Sequence, residues 1–234
     1  MKIINFRKSI AAALMAVGIW VAPATHAADL QTNLVIDGSF EDVDEGFAGP
    51  FTSLELTTWL DAEGDLYGFA YPYDSNYSGS PAPPDAGQYH FTGGFYTFAG
   101  EAEVTQLIQV NQGDTADLIQ TGSARYDLSA FFSTYRVDYQ ASRVKVTFLD
   151  GQATELGVDE VGGEEFLREL PVLGGQLFWG QDVTGGILPS ATETVKLEIV
   201  PEADAVNFDG YVDLVDFRIG GWADDFGLIL DVDP

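Results

Sequence analysis

The chain has 234 residues and a formal net charge of −27 at pH 7, since 37 aspartates and glutamates stand against 10 lysines and arginines. A surface of this sign repels nucleic acid and anionic membranes, which excludes both as partners. The sequence contains no cysteine, which excludes disulfide bonds and a cysteine nucleophile, and 46% of its residues are hydrophobic, enough for a real core.

The first 27 residues have the composition of a secretory signal peptide. Lys2, Arg7 and Lys8 precede the apolar run at residues 10–21, and small residues occupy the positions of a cleavage site before residue 28. This run is too short to cross a bilayer, which needs roughly 20 apolar residues, and no later stretch is longer. We therefore predict a signal peptide at 1–27, a secreted or periplasmic protein, and no membrane insertion. The remaining chain has a net charge of −30.

Alternation of apolar and polar residues predicts β-strands along most of the remaining chain. The clearest strands are at 124–133, 143–150 and 194–200, and weaker ones are at 33–36, 53–59, 88–91, 105–110 and 176–181. Strong helix signals are almost absent. Eight or nine strands separated by Gly, Pro, Asp and Asn predict an all-β domain, a β-sandwich or jelly roll, at residues 28–220. An acidic tail follows at 221–234.

The segment between Asp61 and Gly100 is rich in Tyr, Phe, Gly, Pro and Ser, and its central part is predicted to be a long loop. Sugars present flat apolar faces, so glycan sites use exposed aromatic rings for stacking and polar groups for the hydroxyls. The loop is too polar to bury three tyrosines, although loop tyrosines also commonly cover a sandwich edge. The candidate ligand-binding residues are Tyr71, Tyr73 and Tyr77 in this loop, with Trp59, Tyr135 and Arg136 as weaker candidates.

The stretch NFDGYVDLVDF, residues 207–217, has two interpretations. Asn207, Asp209 and Asp213 are among the residues that match an EF-hand-type calcium loop, but its first position is Ala205, which has no ligand oxygen, and the flanking segments alternate as strands. The strand interpretation is therefore favoured. It places Asp213 on the same face as Phe217, which is predicted to be buried. A buried carboxylate is costly unless it is protonated, bonded to amides or held by a cation.

The sequence NLVIDGSFE at 33–41, Trp59, and the closing Tyr211–Asp213 pattern resemble secreted galactose-binding-like jelly-roll domains, which include many carbohydrate-binding modules. Segments between them, such as PPDAGQYHFTGG at 83–94, occur in the expected order, so the resemblance spans residues 33–219. It implies a galactose-binding-domain-like fold and a structural calcium that bridges the first and last strands. The matching metal ligands here are Glu41 and Asp213, with backbone carbonyls completing the shell.

Signals for catalysis are weak. His90 is the single histidine after the signal peptide, and its neighbours predict a strand histidine between aromatic residues. No serine nucleophile elbow is present, although the many acidic residues leave a glycoside hydrolase pair open. We therefore predict a non-catalytic protein that recognises a glycan or other extracellular polymer and holds a structural calcium. The alternatives are a calcium-dependent structural or adhesion protein of a matrix or surface layer, and an uncharacterised hydrolase.

Overall fold

The computed structural model describes residues 32–44, 54–60, 69–73, 81–95, 103–202 and 207–221. The predicted signal peptide, Tyr77 and the predicted tail after residue 221 lie outside these ranges. The described elements are β1 (Val43–Asp44), β2 (Leu54–Leu56), β3 (Phe69–Pro72), β4 (Tyr89–Phe95), β5 (Val104–Gln109), α1 (Gly113–Gln120), β6 (Arg125–Thr134), β7 (Ser142–Leu149), β8 (Glu155–Gly162), α2 (Glu164–Glu169), β9 (Val172–Leu173), β10 (Gln176–Leu177), β11 (Gly180–Ile187), β12 (Thr194–Pro201) and β13 (Asn207–Gly220).

Within the described ranges, two larger antiparallel sheets form the sandwich, and β9 and β10 pair as a separate two-stranded hairpin. The large sheet has the order β1-β2-β3-β4-β13-β6-β11, and the small sheet has the order β5-β12-β7-β8. The last strand of the described chain, β13, thus lies inside the large sheet between β4 and β6. The predicted all-β sandwich of jelly-roll type is confirmed.

The core lies between the two sheets and follows the predicted alternation. Leu128, Ala130 and Phe132 of β6 are buried there, as are Val146 of β7 and Leu197 of β12. Their intervening neighbours point away from the core. The three strands with the clearest sequence pattern are therefore correctly predicted, including the direction of their side chains.

Two short helices were not predicted, and one predicted strand is absent. Helix α1 has eight residues and α2 has six, too few for a helical period to stand out in the sequence. Residues 33–36 were predicted as a strand but contain none: 33 and 34 have no regular structure, 35 lies in a bend and 36 begins a turn. None of the helices in the described ranges is long and apolar enough to cross a membrane.

Strand β13 extends over 14 residues, so the calcium-loop interpretation of this stretch is wrong. A bulge interrupts its pairing with β6 between Asp213 and Asp216, and Leu214 has a positive φ of 49°. The bulge reverses the alternation: Val215 and Phe217 face the core, whereas Asp213 pairs opposite Phe131 on the other face. The prediction that Asp213 shares the face of Phe217 is therefore corrected.

The N-terminal segment lies beside β13 where its pairing with β4 has ended. The side chain of Asn33 accepts hydrogen bonds from the amides of Val35 and Phe217 and donates one to the carbonyl of Val215, all at 3.0 Å. The amide of Val215 in turn donates to the carbonyl of Gly38 at 2.8 Å. These contacts place the DGSFE motif next to the bulge, which brings the first and last parts of the domain together.

Candidate functional site

The outer face of the large sheet is the face directed away from the small sheet. It carries most of the polar and aromatic side chains of the candidate site. Residues directly opposite each other in antiparallel strands point to the same side of the sheet. Three rows cross β13, β6 and β11 on this face: Asp213, Phe131 and Gln181; Asp216, Ser129 and Val183; and Arg218, Asp127 and Gly185.

Four rings form an aromatic cluster at one end of the outer face. Trp179, just before β11, has its ring 5.7 Å from Tyr73 and 5.4 Å from His90, measured between centroids. It also stacks on Tyr211 at 6.2 Å with an interplanar angle of 27°. Tyr73 and Trp179 are half-buried and form the outer part of this cluster.

His90 lies in β4 among these rings, as its sequence neighbours predict. It is fully buried, and burial lowers the pKa of its imidazole to about 3, so the ring is neutral at ordinary pH. Neither ring nitrogen of His90 has a hydrogen-bond partner among the described residues, and the same holds for Nε1 of Trp179. Nothing beside His90 in the described chain suggests a catalytic dyad.

Asp213 links the aromatic cluster to the bulge. Its side chain is fully buried; Oδ2 accepts a hydrogen bond from the Tyr73 hydroxyl and Oδ1 accepts one from the Leu214 amide at 2.7 Å. Burial, together with the negative charges of Glu41 and Asp37, raises the pKa of Asp213 to about 7, although the hydrogen bonds from Tyr73 and Leu214 act in the opposite direction. Burial and the charge of Asp213 also raise the pKa of Tyr73.

Glu41 and Asp37 are held by main-chain amides. Glu41 Oε1 accepts from the amides of Gln88 and Tyr89 at 2.7 and 2.9 Å, which fixes the start of β4 close to His90. Asp37 Oδ1 accepts from the Glu41 amide at 2.7 Å. A Cβ at Gly87 would lie 2.1 Å from Glu41 Oε1, so this approach requires glycine.

The three carboxylates of Asp37, Glu41 and Asp213 interact electrostatically, and none of them forms a salt bridge within the described part of the chain. Over the same ranges, no three acidic or histidine side chains are arranged as a metal-binding group. A cation at Glu41 and Asp213 would therefore need oxygen ligands other than a third carboxylate, such as main-chain carbonyls or water.

The aromatic residues predicted to bind a ligand differ in how deeply the structure buries them. Trp59 is fully buried, stacks on Phe40 and donates its Nε1 hydrogen to the Asp37 carbonyl at 3.3 Å. Tyr71 lies in β3 and not in the predicted loop, and it is also buried, with its ring 6.3 Å from His90. Both rings belong to the packing of the domain, which leaves Tyr73 as the half-buried loop tyrosine of the predicted set.

Tyr135 and Arg136 lie in the connection between β6 and β7. The guanidinium of Arg136 stacks over the Tyr135 ring at 4.8 Å from the centroid, and Arg136 is exposed. The carbonyl of Arg136 accepts from the Leu177 amide at 3.0 Å, which joins this turn to the β9–β10 hairpin. The pair therefore borders the Trp179 end of the outer face.

Two rings on the outer face were missed by the sequence interpretation. Trp179 and Phe131 are both half-buried, and the exposed side chains of Gln181 and Val183 lie beside them on β11. The alternation in β6 contains a signal for Phe131, because Phe131 and Phe132 are adjacent and only one of them points into the core. Trp179 has no such signal, because the strand predicted at 176–181 is interrupted in the structure: residues 178 and 179 separate β10 from β11.

No family model and no curated protein sequence matches this chain. Similar solved structures include the enzymatically active domain of bacteriophage CBA120 tailspike protein 4, with 11% identity and a TM-score of 0.45. They also include a family 16 carbohydrate-binding module, at 15% and 0.43, and the CBM22 xylan-binding domain from Paenibacillus barcinonensis Xyn10C, at 10% and 0.42. The alignments cover 80%, 79% and 86% of this chain, and 21%, 99% and 100% of the respective structures.

Carbohydrate-binding modules are thus among the structures that this chain is similar to, as its sequence motifs predict. The chain spans only about a fifth of the tailspike domain. These identities and TM-scores are too low to transfer a ligand or an activity, which must be argued from the residues of this chain.

Proposed function

We propose that this chain is a secreted or periplasmic, non-catalytic binding protein for a glycan or related extracellular polymer, and that the outer face of the large sheet is its binding surface. The observation that carries the proposal is the presence of two half-buried aromatic rings, Trp179 and Phe131, on a sheet face that also carries polar side chains such as Gln181 and Ser129. Aromatic rings of this kind stack on the apolar faces of sugar rings.

Hydrogen-bonding groups surround the two rings. Gln181 lies opposite Phe131, and its Nε2 is 3.4 Å from Ser129 Oγ in the next row. Amide and hydroxyl side chains both donate and accept, which suits sugar hydroxyls. Stacking and hydrogen bonding hold a sugar without cleaving a bond, so a binding role requires no catalytic residues in addition to these groups.

The test is affinity electrophoresis of the wild type and variants in gels that contain a panel of soluble polysaccharides. We expect Trp179→Ala and Phe131→Ala each to weaken binding about ten-fold or more, which corresponds to about 1.4 kcal/mol. Val158→Ala is the matched control, because Val158 is an exposed apolar residue of the small sheet. Tyr135→Ala and Arg136→Ala test the neighbouring turn.

Unchanged retention of both the Trp179 and Phe131 variants would contradict this surface. Retention by none of the polysaccharides, together with oligomers that form only with calcium, would favour the structural or adhesion alternative.

We further propose that Glu41 and Asp213 hold a structural calcium. The support is electrostatic: Asp213 is buried without a cationic partner in the described ranges, and Asp37 and Glu41 add negative charge beside it. Carboxylate and carbonyl oxygens are the ligands that calcium prefers. A bound ion would neutralise this charge and join the DGSFE segment to β13.

The calcium proposal is tested by thermal unfolding in excess chelator and in millimolar calcium. Because an ion that binds only the folded state stabilises it by mass action, we expect a higher Tm in calcium that Glu41→Gln and Asp213→Asn both lose. Asp117→Asn, at an exposed position of α1, is the control. A calcium response that persists in both variants would place the ion elsewhere.

A further inference from the structure

We propose that the glycan recognised by the outer face is neutral, and that Asp216 is a specificity-determining residue that prevents the face from accepting uronic acid or sulfated polymers. This inference rests on the proposed function and concerns the charge of the ligand. It comes from the placement of Arg218 and Arg125 on this face and from the charged groups near them; Arg136, at the border of the face, stacks on Tyr135.

Arg218 is the exposed cation nearest the middle of the outer face, and it is already paired. Its Nε donates to both carboxylate oxygens of Asp216, at 2.8 and 2.9 Å, and Nη2 also donates to Asp216. A bidentate pair of this kind occupies the guanidinium edge that would otherwise bind a ligand carboxylate or sulfate. An anionic sugar would have to displace Asp216 to use Arg218.

The charged side chains next to Arg218 also have neighbours of opposite charge. Asp127 lies opposite Arg218 on β6, and both Arg218 and Arg125 interact favourably with the Asp127 carboxylate. The two arginines of this part of the face are therefore compensated by two aspartates. No surplus positive charge remains among these four side chains to attract an anionic polymer.

The groups behind the aromatic cluster make the local charge negative. The carboxyl groups of Glu41 and Asp213 act on Tyr73, and that of Asp37 acts on Asp213, without a salt bridge to any of the three in the described part of the chain. The chain as a whole has 37 acidic residues against 10 basic ones, so the long-range field also repels polyanions. Like charges brought together at an interface suppress the wrong partner.

Neutral sugars suit the same groups. The carboxylates of Asp216 and Asp127 are hydrogen-bond acceptors, and the hydroxyls of a neutral sugar donate hydrogen bonds. Charge is therefore the property by which this face distinguishes otherwise similar polymers.

The experiment compares polymers that share a backbone and differ in charge. The pairs are methyl-esterified and de-esterified homogalacturonan, hydroxyethyl- and carboxymethyl-cellulose, and xylan without and with glucuronic acid substituents. Affinity electrophoresis at pH 7 and about 20 mM salt keeps electrostatic interactions unscreened. We expect the neutral member of any bound pair to bind at least about ten-fold more tightly.

Asp216→Asn keeps the shape of the side chain but removes the charge that compensates Arg218. We expect this variant to lower the ratio of neutral to anionic affinity by about three-fold or more, because Arg218 becomes able to pair with the ligand. Glu155→Gln is the control, because it removes the same charge from an exposed position on the small sheet. Its ratio should equal that of the wild type.

Each outcome decides between the proposals. Equal or tighter binding of the anionic members would overturn the neutral-ligand inference while the proposed function stands. An unchanged ratio in Asp216→Asn would overturn the role of Asp216. If no polymer of either charge is retained, the proposed function itself fails, and this inference fails with it.

Discussion

At the scale of single residues, Asp213 connects the backbone bulge of β13 with the aromatic side chains of the candidate site. The bulge at Leu214 turns its carboxylate onto the outer face, where it is buried and hydrogen-bonded to Tyr73. Burial disfavours the charged form of a carboxyl group, which is why its pKa is raised to about 7. Without a cation, the ionised form of this residue therefore opposes folding.

This effect gives a prediction of pH dependence in chelator. The pKa of Asp213 is about 7 in the folded protein and close to 3.8 when unfolded. Between these values the folded state holds the proton and the unfolded state does not, so this residue's contribution to stability falls as pH rises through that window and is constant above it. Asp213→Asn removes the titration, and its free energy of unfolding should rise relative to the wild type by about 2–4 kcal/mol between pH 4 and 8.

The measurement is urea denaturation at several pH values. The amide of the variant can still accept from the Leu214 amide and donate to the Tyr73 hydroxyl, so the comparison isolates the charge. Asp117→Asn, on exposed α1, reports the effect of removing any carboxylate. A difference between Asp213→Asn and the wild type that does not change with pH would contradict the raised pKa.

The candidate site was only partly predictable from the sequence at this scale. The motif around Glu41 and the closing Asp213 indicated that the two carboxylates approach each other, and they interact in the structure. The face on which Asp213 lies depends on the positive φ of Leu214, a conformation that leucine rarely adopts and that no pattern predicts. Trp179 gains its position from contacts with His90 and Tyr211, which are distant in the sequence.

At the scale of elements, the outer edges of β8 and β11 are joined by two aspartates, an arrangement called the seam here. Asp159 of β8 accepts from the hydroxyls of Tyr126 and Thr184 at 2.7 and 2.9 Å. Asp182 of β11 accepts from the Gly162 amide at 2.8 Å. Each aspartate thus forms hydrogen bonds with the opposite sheet, which joins the two sheets at this side of the sandwich.

The seam should behave as one cooperative unit. We expect Asp159→Ala and Asp182→Ala each to lower the free energy of unfolding by about 1–2 kcal/mol, since each removes hydrogen bonds to a charged group at a partly exposed position. Because both act across the same gap, the double variant should lose less than the sum of the two by about 0.5 kcal/mol or more. Urea denaturation measures all three, with Asp117→Ala as the control. Strict additivity would mean that the two aspartates act independently.

The sequence predicts some elements better than others. The difference depends on whether sheet pairing or hydrogen bonds from distant side chains hold the element in place. β6, β7 and β12 have a buried and an exposed face, so their alternation is unmistakable. Residues 33–38 contain apolar side chains but are positioned by Asn33 and by Gln106, whose amide bonds both the amide and the carbonyl of Ile36, at 3.0 and 2.6 Å. Side-chain bonds of this kind hold the chain beside a sheet without making it a strand.

At the scale of the whole molecule, charge is the dominant property, and five of the seven cations in the described part of the chain are paired with acidic side chains, whereas Arg136 stacks on Tyr135. Within the described ranges, Arg143, Lys145, Arg168, Lys196 and Arg218 all form salt bridges with acidic side chains. Apart from the pairs of Lys145 and Lys196 with the buried Glu198, these are surface pairs, which contribute little to stability, about 0–1 kcal/mol each. Most of the acidic residues therefore remain uncompensated and repel one another in the folded state.

Because of this repulsion, we expect salt to stabilise the protein. The rise in Tm with sodium chloride is then the reference for the rise in Tm with calcium. Screening shortens the Debye length from about 10 Å at 0.1 M to about 3 Å at 1 M salt, so the Tm in chelator should rise as sodium chloride is added. A specific calcium site requires a further rise when calcium replaces sodium at equal ionic strength, since mass action adds to screening. Differential scanning calorimetry of the wild type and Glu41→Gln separates the two effects: both proteins should respond alike to sodium, and only the wild type should gain more from calcium. An identical response of the wild type to the two salts would mean that calcium acts on this acidic surface as a counterion alone.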